Sequence, residues 1–118
     1  MQFFVYFTMT EGEPMNPPSP EGMAKMGKMM EQSFASGKIV ATGKLPREVT
    51  QVKLENGEFS ITDGPFIEGK ELIPGFTVIE VDSKEQAVEW VKSLRECMGN
   101  GVLKMAQLSA NSRKDLKG

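Results

Sequence analysis

Apolar and polar positions alternate first over Gln2 to Thr8, where Phe3, Val5 and Phe7 mark one face and Phe4, Tyr6 and Thr8 the other. Both faces are largely apolar, which predicts a strand covered on both sides. After a Gly- and Pro-containing loop from Met9 to Pro18 the period changes. Ser19-Pro20-Glu21 supplies a capping hydroxyl, a proline for the first helical position and an acid near the positive end of the dipole. Met23, Met26, Met30 and Phe34 then recur at helical spacing, so the pattern predicts a helix with that stripe buried, ended by Gly37. Gly22 and Gly27 each weaken it by up to about 1 kcal/mol against Ala.

Lys38 to Leu45 reads as a second strand, stopped by Pro46. Val49 to Leu54 and Glu58 to Thr62 read as a hairpin about Asn56-Gly57. Asp63-Gly64-Pro65 is expected to break the chain, with one helical turn possible between Phe66 and Leu72. Phe76 to Val81 is β-branched and strand-like. Ser83 with Gln86 three residues on forms a capping box. It opens a helix with an apolar face of Ala87, Trp90, Val91, Leu94 and Met98. Gly99-Asn100-Gly101 closes that helix, and Val102 to Leu108 is a last strand. The polar residues 109–118 read as a frayed tail, which leaves 1–108 as the domain.

The order is read as β-α-β-β-β-α-β. Two helices among strands suggest an α+β, ferredoxin-like unit with both helices on one face of an antiparallel sheet. The first strand is apolar on its other face too, so something must cover that side. A second copy of the chain is the expected cover, which makes the protein a homodimer.

Composition narrows the chemistry. The 118 residues fit one domain, with 39% hydrophobic and 25% charged residues, an ordinary globular balance. There is no His, which removes Ser-His-Asp and Cys-His catalysis and His-ligated metal or haem. One Cys forms neither an internal disulfide nor a CxxC site, and Cys97 reads as an inert buried thiol. A net charge of −2 leaves no electrostatic footprint for nucleic acid. No apolar run reaches the ~20 residues of a membrane helix. The expectation is a cytoplasmic protein with no cofactor, no metal, no nucleic-acid partner and no membrane contact. The nine Met residues read as core gap-fillers rather than a soft-metal site.

The run Thr62-Asp63-Gly64-Pro65-Phe66-Ile67-Glu68-Gly69-Lys70-Glu71 stands apart from these generic features. It resembles the signature of the YCII-related family, in its DGPF-domain branch. The resemblance extends from Ser19-Pro20-Glu21 through Pro74-Gly75-Phe76 and Ile79-Glu80-Val81-Asp82-Ser83 to Glu89-Trp90. It implies a dimeric α/β-barrel, two ferredoxin-like units with facing sheets. It implies little about activity, since most members are uncharacterised. DGPF proteins often accompany extracytoplasmic-function sigma factors. Some relatives pair a His with an Asp, and a chain without His has no such dyad.

Five residues are candidates for a site. Asp63 at a strand end could face the cleft between sheets as a general acid or base; the structural alternative is an Asx-type turn. Tyr6 could line the same cleft, or pack as a core tyrosine. Phe66 could stack on a ligand, or anchor its loop. Lys70 could hold an anion, or sit in a solvated charge cluster with Glu68 and Glu71. Arg47 could clamp a carboxylate or phosphate, or be exposed. The functional expectation is a small organic ligand in a cleft of the dimer, with acid–base chemistry at Asp63. The alternative is a non-catalytic interaction or regulatory protein, linked to sigma factors.

Overall fold

The computed structural model describes residues 1–10, 17–45, 48–65 and 71–109. β1 is Gln2–Tyr6 and β2 is Met9–Thr10. The first helix, α1, is Pro20–Ala35. Ser19 caps it by accepting the Gly22 N–H at 3.0 Å, with Pro20 in the first turn as the sequence predicts. Gly37 follows at φ +79°, a left-handed residue that lets the chain leave the helix. β3 is Ile39–Lys44, β4 Glu48–Glu55, β5 Glu58–Pro65, β6 Glu71–Leu72 and β7 Gly75–Glu80. α2 is Lys84–Met98, and β8 is Lys104–Gln107. Ser83 accepts the Gln86 N–H, while the Gln86 side chain accepts the Asp82 N–H at 3.0 Å. The reciprocal arm of the capping box thus lands one residue earlier than the usual form.

The main sheet has four strands in the order β3-β7-β1-β8, each neighbouring pair antiparallel. Numbered among themselves, these strands run 2-3-1-4, so the two β-α-β halves interleave as in a ferredoxin-like sandwich. The fold is α+β, as the sequence predicts. The linear reading β-α-β-β-β-α-β needs correction on one point. The β4–β5 hairpin forms its own two-stranded sheet and pairs with no strand of the main one.

Register sorts the sheet into two faces, because directly paired residues share a face. Phe3 pairs with Ile79, Val5 with Thr77, and Ile39 with Ile79. These five are buried, and with Val81, Ala87, Trp90 and Leu94 they make the core between sheet and helices. The opposite face carries Phe4 against Val78, Tyr6 against Phe76, and Ala41 against Val78. A register shift between Ile39 and Ala41 leaves Val40 half exposed and brings Thr42 beside Thr77.

The α1 stripe differs from the predicted one. Met26, Met29 and Met30 pack against the core, but Met23 is 54% and Phe34 52% exposed. The buried residues of α1 are Gly22 and Ser33. Both sit where α1 meets α2. A Cβ on Gly22 would run into the Cys97 carbonyl, and the Ser33 hydroxyl receives the Trp90 N–H. Close helix contact selects small residues, which a size-based apolar pattern overlooks.

Three further expectations are corrected. β1 stops at Tyr6 rather than Thr8, and Met9–Thr10 pairs instead with Glu71–Leu72. Those two residues are therefore strand rather than helical turn; residues 66–70 lie outside the described set. Asp63-Gly64-Pro65 does not break the chain. It continues β5, with Asp63 opposite Thr50 and Pro65 opposite Glu48. A proline is tolerated there because both hairpin strands are edges, with no ladder bond required of every N–H. The Asn56-Gly57 turn is as predicted, with φ of 52° and 80° at the two positions.

Candidate functional site

Among the described residues no helix or hairpin packs over the helix-free sheet face as the helices pack over the other. Phe4 and Tyr6 rise from it two residues apart on β1, their ring centroids 5.3 Å apart. Phe76 stacks diagonally on Phe4 at 5.5 Å with rings 19° from parallel. Strand periodicity puts Phe4 and Tyr6 on one side, and the Tyr6–Phe76 pairing brings the third ring to them. Gly43 opposite Phe76 leaves room for that ring, since a Cβ there would stand 3.2 Å from it. Phe4, Tyr6, Phe76 and Val78 are all half-buried rather than buried. Three aromatic rings on this face are thus left partly in water.

At one end of the sheet, between its other face and the helices, lies a cavity of about 240 Å³. Val5 and Thr77 border it from the sheet and Met26, Met30, Leu94 and Met98 from the helices, with Tyr6, Gly43 and Phe76 at its margin. Its lining is almost wholly apolar. Polar groups come from Thr42, Thr77 and Lys44. The Thr42 and Thr77 hydroxyl oxygens are 3.0 Å apart, and Thr42 Oγ1 also donates to the Phe76 carbonyl at 3.0 Å. Methionines suit such a wall because their unbranched thioethers adapt to irregular space.

Asp63 lies elsewhere. Its carboxylate is exposed and accepts the Thr50 hydroxyl at 2.6 Å across the hairpin. With Glu48, Val49 and Gly64 these two line an open depression of about 500 Å³. Within one chain, then, Tyr6 and Asp63 border separate cavities. Asp63 is neither in an Asx turn nor buried; it is a strand residue with a cross-strand hydroxyl partner. Arg47, Phe66 and Lys70 lie outside the described residues. Cys97 is half-buried near the end of α2.

Sequence reasoning singled out Tyr6 and Asp63 but not the residues beside them, Phe76 next to Tyr6 and Thr50 next to Asp63. Phe76 was legible only as a strand residue, because its contact with Phe4 depends on non-local pairing. Among the described residues no group of three Cys, Asp or Glu side chains could hold a metal ion, and no helix is long and apolar enough to cross a membrane.

The sheet order and the two helices packed on one face define the class: a ferredoxin-like α+β protein. The chain belongs to the YCII-related domain family, whose model matches residues 1–105. No curated protein matches it significantly.

Proposed function

We propose that this YCII-related protein, of the DGPF branch, works as a homodimer closed by its helix-free sheet faces, and that it binds a small organic molecule beside Tyr6. The observation that carries this reading is the Phe4–Tyr6–Phe76 cluster, half-buried on a face that the chain itself leaves open, at the border of an apolar cavity. Covering three rings removes a large apolar area from water, the main driving force for association. At about 240 Å³ the cavity lies below the 300–1,000 Å³ typical of drug-sized sites, which suits a small ligand with an apolar body. Asp63 is the group we assign any proton transfer. Its exposed carboxylate, held by Thr50, is open to a substrate brought over it in the dimer. The single cysteine fits a reducing, cytoplasmic setting.

The test is calorimetric titration with small aromatic and branched aliphatic acids and their uncharged analogues. Binding should show a negative heat-capacity change, from apolar burial, and should weaken at least tenfold in Tyr6→Ala. No binding by any probe, or binding indifferent to Tyr6, overturns the ligand reading. For chemistry, Asp63→Asn should abolish turnover with melting unchanged; a fall in melting alone assigns Asp63 a structural role.

A second reading, a non-catalytic regulatory partner of the sigma-factor kind, draws support from the exposed apolar residues of the β4–β5 hairpin. Co-purification of a stoichiometric protein partner that is lost on altering the hairpin would favour it.

A further inference from the structure

We infer that the β4–β5 hairpin is an arm that lays its apolar face on a second copy of the chain, completing the interface begun by the helix-free sheet faces. This rests on the homodimer reading above and says what that reading lacks.

Register divides the hairpin sharply. Val52 pairs with Ile61 and Leu54 with Phe59, so all four side chains share one face. They are 61%, 70%, 61% and 72% exposed. The other face carries Lys53 and Glu55, whose charged groups lie 3.2 Å apart in solvent. A free ribbon has no reason to segregate apolar from charged side chains in this way, and isolated two-stranded hairpins are marginal in water. Toward the hairpin tip this face is wholly apolar, while toward its base the same face carries Thr50 with Asp63 and then Glu48, so the tip half calls for an uncharged, apolar partner surface. With the sheet faces already turned to each other, the same hairpin face on the second copy is that surface, apolar and self-complementary about a two-fold axis. A two-fold axis then uses each contact twice.

Area points the same way. Four strands spaced ~4.8 Å apart and ~17 Å long present roughly 330 Å² of projected face per protomer. Stable dimers bury about 800 Å² of accessible surface per partner. The flat area of the sheet face is about half the ~600 Å² per partner at the lower end of stable interfaces. Two eight-residue strands add a further projected area of roughly 250 Å², which brings the flat total close to the lower end of that range before side-chain relief is counted.

The experiment is sedimentation equilibrium on the full chain and two double variants. Leu54→Lys with Phe59→Glu replaces one apolar pair by a cross-strand ion pair, which keeps the hairpin's own pairing supported. Lys53→Gln with Ser60→Lys alters the opposite face. The wild type should be a dimer. The first variant should raise its dissociation constant by on the order of 100-fold or more, because four large side chains leave the interface per dimer, and the second should leave it within about threefold. A wild-type dimer that the first variant leaves unchanged overturns the arm and leaves the sheet-face dimer standing. A wild-type monomer overturns both. A first variant no weaker than the second also overturns the arm, and assigns the hairpin face to some other partner.

Discussion

The indole N–H of Trp90 donates to the Ser33 hydroxyl at 3.0 Å, and both residues are buried where α2 crosses α1. This is a buried polar link across 57 residues of sequence in an otherwise apolar seam. Ser33→Ala should remove the acceptor and strand the indole donor, at a cost of about 1–3 kcal/mol. Urea denaturation reads it as a lower midpoint at unchanged m-value. A loss below about 0.5 kcal/mol would mean that water replaces the hydroxyl.

Gly22 and Gly27 lie on the same helix and should respond oppositely to alanine. A Cβ at Gly22 meets the Cys97 backbone carbonyl, whereas one at Gly27 meets nothing within 4 Å. Gly27→Ala should stabilise by up to about 1 kcal/mol through helix propensity. Gly22→Ala gains the same propensity but forces the helices apart, so the net loss should be about 1–3 kcal/mol. Equal responses in thermal melts would contradict the close α1–α2 approach.

The Thr42–Thr77 hydroxyl pair tests the cavity wall. Thr77 is buried, and Thr42→Val leaves its hydroxyl without that partner, at a cost of about 1 kcal/mol or more. Replacing both by Val keeps the shape and removes both polar groups. The double variant should therefore be more stable than Thr42→Val alone, a non-additivity that a double-mutant cycle measures directly.

The exposed Thr50–Asp63 bond should matter little for stability. Thr50→Ala and Asp63→Asn should each change the unfolding free energy by less than about 1 kcal/mol. A larger loss would show the pair holding the hairpin together.

Much of this architecture is legible in local chemistry. Ser19, Ser83, Gly37 and Asn56-Gly57 each act within a few residues, so the sequence announces both helices and the hairpin. Period two on β1 likewise foretells a sheet with two apolar faces. What local pattern misses depends on distant partners. Gly22 and Ser33 are buried because α2 arrives there, while Met23 and Phe34, more apolar, face water. Asp63-Gly64-Pro65 reads as turn chemistry but is held straight by Glu48 to Thr50 across the ribbon. The candidate site is legible only in part for the same reason. Tyr6 is visible as an aromatic on an apolar strand, but the Phe4–Phe76 stack beside it needs β7 alongside β1.

Native mass spectrometry of the freshly purified chain tests the central claim most directly, since it weighs the assembly and any retained molecule together. A species at twice the 13.0 kDa chain mass, carrying a small organic adduct that Tyr6→Ala releases, is the expected result. A bare 13.0 kDa monomer at every concentration would contradict the account, because the Phe4–Tyr6–Phe76 face would then have no cover.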